Sequence, residues 1–322
     1  MLNDGAISGF SALGAAEAGG VERVGGLSVG EFVRRYRAPR RPVILTDALK
    51  DWPARERFTP EFFRTRYGDL PVKVRGREYR LAEIIDLQRE SSVERPAPYP
   101  CTLSLADCPD LLPDVMPRFA YSLPNRHTHP LMPQGLFESV YHTEIFFGGP
   151  NGQFPLLHYD FLRMHAWIAQ VYGDKEFTLY EPGQEHLLYV DPKAPWLSTV
   201  ERANSPDYTR YPLLRQARSC TVTVRAGEAL WLPCGTWHTA RCLNVGITVA
   251  FDQLESGNWR EFTHEVIAHQ RRLGQRSRAF WLGTYLRLLG PVMSTAELFG
   301  ANRRPDWGMK AVSAGGANGQ LP

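Results

Sequence analysis

The sequence predicts a mainly β protein, a sandwich or barrel flanked by helices on both sides. Three observations carry that expectation. Between residues 156 and 256, the segments Trp167–Val171, Phe177–Tyr180, Cys220–Val224, Ala229–Leu232 and Gly246–Phe251 are short and rich in β-branched or aromatic residues, and Gly, Pro, Asp or Asn separate them. Short strands following one another in this way favour a sandwich or barrel over a βαβ sheet. After Gly257 the apolar period becomes helical, first through Trp259, Phe262 and Val266, then through Phe280, Trp281, Tyr285 and Leu288.

Taken in order, residues 1–26 are rich in Gly, Ala and Ser and are expected to be poorly ordered. A helix opens at Ser28, where Ser28 and Glu31 can form a capping box ahead of Phe32, Val33 and Tyr36. Arg41-Pro42-Val43-Ile44-Leu45 reads as a strand. Thr59 followed by Pro60 is a cap with proline at the first helical position, opening a helix that carries Phe62, Phe63 and Tyr67. Val72–Val74 is a further strand, and prolines break the chain from 92 to 155. The resulting division is a loose N-terminus (1–26), a β-rich body (27–256), a helical appendage (257–301) and a loose Gly/Ala-rich tail (302–322).

Composition excludes several classes. The net charge of +3 is too small to argue for nucleic acid as a partner. The clusters Arg34, Arg35, Arg37, Arg40, Arg41 and Arg271, Arg272, Arg276, Arg278 read as solvated surface rather than a polyanion site. Five cysteines, odd in number and with no C-x-x-C pair, suggest neither a disulfide framework nor a thiolate zinc site. With no basic, apolar leader at the start and no apolar run of membrane length, the expectation is a cytoplasmic protein without a membrane partner.

The chemistry centres on Leu157-His158-Tyr159-Asp160. A non-haem iron site with open positions needs two imidazoles and one carboxylate on one face of the metal. His-x-Asp supplies two of them where the chain turns at a strand end, and the third must come from a distant strand. The motif alone is weak, since nine histidines and 34 acidic residues give about one such match by chance. A second match exists in His142-Thr143-Glu144, within the proline-broken region. His158 differs in following the turn Gly148-Gly149-Pro150-Asn151-Gly152 and preceding a strand. The candidate third ligand is His238, which follows a glycine turn, a short apolar strand and a Pro/Gly corner in Gly227–His238. His127 and His129 form a His-x-His pair with no further ligands nearby in sequence and read as a solvated loop.

The stretch Leu157–Pro182 together with Gly227–His238 resembles the JmjC and cupin-like iron(II)/2-oxoglutarate hydroxylases, among them the asparaginyl hydroxylase that acts on hypoxia-inducible factor. Arg41-Pro42-Val43-Ile44 and Ala48-Leu49-Lys50-Asp51-Trp52-Pro53-Ala54 are similar to that family's N-terminal region, so the likeness spans roughly residues 27–255. The resemblance implies a double-stranded β-helix of the cupin or jelly-roll type, with 27–256 as the catalytic domain. It implies His158, Asp160 and His238 as ligands of Fe(II), with 2-oxoglutarate and O₂ as cosubstrates.

It further implies a strand lysine that pairs with the distal carboxylate of 2-oxoglutarate, a role that falls to Lys175, and a tyrosine on the same carboxylate, Tyr99. His165, in Met164-His165-Ala166-Trp167, lies near a family asparagine and is expected to contact substrate or cosubstrate. The sequence departs from the family in three places. The interval from His158 to Lys175 carries an even insertion, which preserves strand facing. His165 lies near the family asparagine, and Ala250 stands where many relatives carry Asn.

The function expected is an oxygenase hydroxylating a peptide, a protein side chain or a small metabolite. Two alternatives stay open: a metal cupin without 2-oxoglutarate, acting as an isomerase or simple dioxygenase, and a non-catalytic binding module. A homodimer through the C-terminal helices is expected, because their apolar stripes need a covering surface; packing on the chain's own β core is the alternative.

Overall fold

The computed structural model describes residues 20–116, 118–129, 131–133 and 143–299. Residues 1–19, His142 and the whole tail 302–322 lie outside the described residues. Glu22–Val24, inside the segment expected to be loose, forms strand β1, parallel to β2 (Val43–Leu45).

The capping box at Ser28 is present: the Ser28 hydroxyl accepts from the Glu31 N–H at 3.2 Å, and Glu31 accepts from the Ser28 N–H at 2.9 Å. It starts α1 (Val29–Phe32), which continues as a π-helical stretch, Val33–Arg37. After the short α2 (Ala54–Arg57), α3 (Pro60–Tyr67) begins at Thr59 as expected, with the hydroxyl accepting from the Phe62 N–H. A hairpin, β3 (Pro71–Val74) and β4 (Arg77–Arg80), leads into α4 (Leu81–Arg89).

The remaining strands are β5 (Cys101–Ser104), β6 (Glu144–Gly148), β7 (His165–Tyr172), β8 (Lys175–Tyr180), β9 (Ser219–Val224), β10 (Ala229–Leu232), β11 (His238–Cys242) and β12 (Gly246–Gln253). They build a seven-stranded sheet, ordered β1-β2-β10-β7-β12-β6-β5, and a three-stranded sheet, β11-β8-β9. This is the cupin-type double-stranded β-helix that the sequence leads one to expect. β7 is paired on both sides and buried along nearly its whole length, which is why His165-Ala166-Trp167-Ile168-Ala169 lacks a polar alternation.

Alternation still sorts the side chains by face. Trp167, Ala169, Trp231, Val249 and Phe251 point to the outer side of the large sheet, where α1, α3 and α4 cover them. Ile168, Leu230, Phe177, Leu179, Val222 and Ala240 fill the space between the two sheets. The chain from 181 to 218 leaves the small sheet and folds over a separate cluster of Leu157, Tyr159, Tyr180, Leu188 and Trp237.

Two helices follow the barrel, α5 (Trp259–Arg272) and α6 (Arg276–Leu298). Their apolar stripes divide. Trp259, Phe262 and Val266 are buried beneath α6 with Leu282, Leu286 and Leu289, whereas Phe280 and Trp281 remain 63% and 70% exposed. A side chain at Gly290 would collide with the Trp259 indole, so glycine permits the two helices to approach there. The first arginine cluster is partly engaged in surface ion pairs, Arg35 with Glu22 and Arg40 with Glu261. All five cysteines are free thiols. No helix among the described residues is long and apolar enough to cross a membrane.

The far end of α6 is pinned by a buried ion pair. Arg126 donates to both Glu297 oxygens, at 2.7 and 2.9 Å, and to Ser294, and its guanidinium lies 5.1 Å from the Trp259 ring. Removing one partner from such a pair strands a buried charge. Glu297→Ala is expected to lower the unfolding free energy by about 3–5 kcal/mol. A urea melt would measure it, and a loss no larger than that of an exposed ion pair such as Arg80 with Asp69 would contradict this account.

Candidate metal centre

Backbone geometry brings the two histidines together. The His158 N–H donates to the His238 carbonyl at 3.0 Å, and the His238 N–H donates back to the His158 carbonyl at 2.7 Å. The rings consequently sit 4.4 Å apart, with Phe154 stacked on His158 at 5.0 Å. Asp160 completes the group. One donor atom from each of His158, Asp160 and His238 lies within 4.8 Å of the others, and among the described residues no other such group is found. Two imidazoles and one carboxylate, with no further protein ligand, suit an iron(II) ion that must keep positions open.

Hydrogen bonding fixes the state of His238. Its Nδ1 lies 2.9 Å from the Thr236 carbonyl. A carbonyl can only accept, so Nδ1 carries the proton and Nε2 keeps its lone pair for a metal. The corner that holds Thr236 is itself tied, its hydroxyl donating to the Pro233 carbonyl at 2.7 Å. Burial, and then the neighbouring His238, hold the His158 imidazole well below its ordinary pKa, in the neutral form that ligation requires. Burial raises the Asp160 carboxyl, against the opposing influence of His238 and His165.

Between Asp160 and β7 the chain makes a strained turn in which Leu162 and Arg163 both have positive φ, 59° and 56°. Left-handed conformations at non-glycine residues cost on the order of 1–3 kcal/mol each. Contacts from α5 and the segment before it hold the turn: Asn258 Nδ2 donates to the Arg163 carbonyl at 3.1 Å, and the Tyr159 hydroxyl donates to Glu265 at 3.1 Å.

Lys175 and Tyr99 also meet. Lys175 is 5% exposed, and its ammonium sits 5.2–5.5 Å from the ring centroids of Phe146, Tyr99 and Phe177. It forms no ion pair with any described carboxylate, and burial lowers its pKa. Beside it the Tyr99 hydroxyl is buried without a hydrogen-bond partner among the described residues, and burial raises that hydroxyl's pKa far above its usual value. A side chain at Gly148 would collide with both Cys242 and the Tyr99 ring, so only glycine leaves room at this point. A buried cation beside an unsatisfied hydroxyl is a receptor for an anion.

His165 behaves differently from expectation. It falls in the outward set of β7 with Trp167, and its ring packs 5.2 Å from Trp231. Its Nδ1 accepts from the Cys234 N–H at 2.9 Å, and its Nε2 faces Glu255 at 3.4 Å. Both nitrogens are used by the fold, leaving nothing to offer a substrate or cosubstrate. Burial raises the Glu255 carboxyl, but the bonds from His165 and the Gly257 N–H outweigh it and hold the pKa at about 2. His127, expected in a solvated loop, is buried, and neither it nor His129 joins a metal-binding group among the described residues.

Sequence reasoning passes over Asp252 and meets Glu144 only in the set-aside match His142-Thr143-Glu144; the fold turns both toward the triad. On β12, Thr248, Ala250 and Asp252 alternate with the outward Val249 and Phe251, and Ala250 pairs with Glu144 on β6. Both carboxylates therefore face the same interior as Asp160. Burial raises the Asp252 carboxyl well above its ordinary value, reinforced by Asp160 and Glu144, and burial raises Glu144 to about 7. The signal was the period of two running past Phe251, where the expected strand stopped.

Residues 29–253 match the cupin-like domain family. The chain is 24% identical over 264 residues to the arginine-specific demethylase JMJ22 of Arabidopsis thaliana, covering 74% of this chain and 47% of that protein. It is 26% identical over 262 residues to the human bifunctional peptidase and (3S)-lysyl hydroxylase JMJD7, covering 68% of this chain and 79% of that protein. Over 132 residues it is 29% identical to the chicken 2-oxoglutarate and iron-dependent oxygenase JMJD4, covering 39% and 31% of the two chains. The chain spans about half the length of the plant demethylases it matches, 47% of one and 58% of another.

Asp160→Ala and His238→Ala are each expected to weaken iron(II) binding by more than the roughly 10–100-fold typical of losing an outer-shell partner. Metal analysis after anaerobic dialysis would read this. Both variants retaining wild-type iron would rule out the triad.

Proposed function

This chain belongs to the JmjC-type cupin-like family, and from that premise we propose that it is an iron(II)- and 2-oxoglutarate-dependent oxygenase that hydroxylates a peptide, a protein side chain or a small metabolite. The observation that carries the reading is Lys175, a buried lysine with no ion-pair partner among the described residues, on the strand ladder that also carries His238. A charge left unpaired in an apolar interior is costly, and an anionic ligand is what relieves it.

His158, Asp160 and His238 would hold iron(II), and Lys175 with the Tyr99 hydroxyl would hold the distal carboxylate of 2-oxoglutarate. When bound, iron(II) with this cosubstrate supplies the activation of O₂, coupled to conversion of 2-oxoglutarate to succinate. The spacing suits a five-carbon dicarboxylate. Lys175 pairs with Cys242 across the small sheet, and Leu179 pairs with His238. The two levels are thus about 13 Å apart at ~3.3 Å per residue, before the side chains reach toward each other. Phe146, Phe177 and Ile168 line the space between and exclude water, which strengthens the ion pair at Lys175. A metal cupin without 2-oxoglutarate has no use for this cation, which is the reason for preferring the oxygenase. The names of the relatives, a lysyl hydroxylase and an arginine-specific demethylase, favour a polypeptide substrate. Five free thiols fit a reducing, cytoplasmic setting.

Self-association through α6 is part of the same proposal. Trp281, Tyr285, Leu288 and Val292 are exposed at alternating four- and three-residue spacing, the seam of a helix pair. Light scattering at micromolar concentration is expected to give twice the chain mass, and Trp281→Glu with Leu288→Glu should return it to the monomer. A wild-type monomer would refute the pairing.

Lys175→Ala is expected to weaken 2-oxoglutarate binding by about 2–5 kcal/mol, or roughly one and a half to three and a half decades. Iron content should barely change. Lys175→Arg should fail as well, since the planar fork does not fit a site shaped around a compact ammonium. Calorimetry on the iron-loaded protein separates the cases: unchanged 2-oxoglutarate affinity in Lys175→Ala would move the anchor elsewhere, and no binding by the wild type would favour the plain metal cupin.

A further inference from the structure

Two histidines of this protein hold opposite tautomers on either side of a single turn. Nδ1 of His238 donates to the Thr236 carbonyl at 2.9 Å, which leaves Nε2 without a proton. Nδ1 of His165 accepts from the Cys234 N–H at 2.9 Å, so its proton sits on Nε2, which faces Glu255 at 3.4 Å. Between them lies the corner Pro233-Cys234-Gly235-Thr236, which joins β10 to the start of β11 at His238.

The corner depends on an acceptor from outside itself. It is a β-turn closed by the Thr236 N–H on the Pro233 carbonyl at 3.2 Å, with Gly235 in third place at φ 78°, the type II arrangement. Such a turn makes no use of the N–H of its second residue. Here that residue is Cys234, and its N–H is buried. A buried N–H without an acceptor is costly, and His165 Nδ1 is the acceptor. The other side of the corner is closed as well, since a side chain at Gly235 would run into the Arg163 guanidinium. His165 in turn is fixed: it is 1% exposed and its ring lies 5.2 Å from that of Trp231. The Glu255 carboxylate that meets its Nε2 also accepts from the Gly257 N–H at 2.8 Å and the Ser256 hydroxyl at 3.1 Å.

We propose that His165 is a positioning residue for the metal centre: through the Cys234 N–H it fixes the corner whose Thr236 carbonyl sets the tautomer and ring orientation of His238. The inference rests on the reading of His158, Asp160 and His238 as metal ligands, and gives the buried contact of His165 with Glu255 a role in it. Without the acceptor the Cys234 peptide is free to rotate and the Thr236 carbonyl moves with it. His238 then exchanges its proton between Nδ1 and Nε2, and the Nε2–H form has no lone pair there for a metal. Volume alone does not supply this restraint. Asparagine at the same place offers Oδ1 close to where the imidazole carries Nδ1, whereas leucine fills the space and offers nothing.

The test compares the full-length wild type with His165→Leu and His165→Asn. Anaerobic titration with Co(II), whose visible absorption follows ligand geometry, reads the metal site. NMR of isotopically labelled histidines in the metal-free proteins reads the His238 tautomer. His165→Leu is expected to weaken Co(II) binding about tenfold, the lower end for loss of an outer partner, and to alter the visible spectrum. Its His238 should show the proton shared between both nitrogens. His165→Asn should bind Co(II) as the wild type does and keep the Nδ1–H form, although the cavity it leaves makes it the less stable protein in a urea melt. Should His165→Leu fail to fold, His165→Ala and its combination with Cys234→Pro replace it. Proline in second place suits this turn and has no N–H to satisfy, so adding it should restore the Co(II) affinity that His165→Ala loses. Wild-type affinity and tautomer in His165→Leu, or losses that follow volume so that His165→Asn binds more weakly than His165→Leu, overturn the inference. No Co(II) binding by the wild type overturns the metal reading of the triad, and the metal-free NMR still decides whether His165 governs His238.

Discussion

The reciprocal backbone bond between His158 and His238 is the constraint on which the site depends. One histidine comes from a loop ahead of β7 and the other opens β11, so neither local segment can set their separation. Two hydrogen bonds of 3.0 and 2.7 Å do so. β11 continues through the five-residue ladder to β8, which carries Lys175 at its start. A single sheet therefore fixes His238 and Lys175 relative to each other. The side chains follow because alternation sends His238, Ala240 and Cys242 to the interior together.

Charge distribution separates structural from functional burial. The fold uses buried polar contacts to join elements: the ion pair of Arg126 with Glu297 ties α6 to the segment after residue 124, and the contact of the His165 imidazole with Glu255 ties β7 to the end of β12. In both cases the partner is within the chain, and the Arg126 pair tolerates removal from water because its geometry is good. Inside the barrel the pattern inverts: Lys175 is sheltered with no carboxylate partner among the described residues, and burial raises the Glu144 and Asp252 carboxyls. A buried ammonium left without a counter-charge is costly, so its presence is itself an argument for an anionic ligand.

Most of this was legible in the sequence where local chemistry decides structure. The caps at Ser28 and Thr59, the strands from Trp167 onward and both C-terminal helices follow from side-chain hydrogen bonding and apolar period, and the His158, Asp160, His238 group is brought together in space. The illegible parts are those set by tertiary context. β5 and the helix Leu81–Arg89 went unread because prolines nearby, or the preceding hairpin, masked short signals. His165 is expected to contact substrate or cosubstrate because it lies near a family asparagine, but the pleat of β7 turns it to the opposite face. Asp252 shows the converse: an acid at the end of an apolar strand reads as the strand's edge, and only pairing with β7 reveals that it points inward.

The same context makes the C-terminal helices more than an appendage. Leu162 and Arg163 occupy left-handed conformations immediately after Asp160, and a turn of that kind persists only where its surroundings over-determine it. The surroundings here come largely from beyond the barrel. Asn258, fully buried, bonds the carbonyls of Arg163 and Gln253 while its own oxygen accepts from the Glu255 N–H. Glu265 on α5 accepts from Tyr159 and pairs with Arg163, whose guanidinium lies 4.4 Å from the Tyr159 ring. Trp196, from the chain folded over the small sheet, closes the other side through Phe161 at 4.7 Å. The Asp160 corner of the candidate triad is thus positioned by a strained turn clamped between α5 and residue 196. A boundary drawn at residue 257 would separate the group of His158, Asp160 and His238 from what holds Asp160 in place.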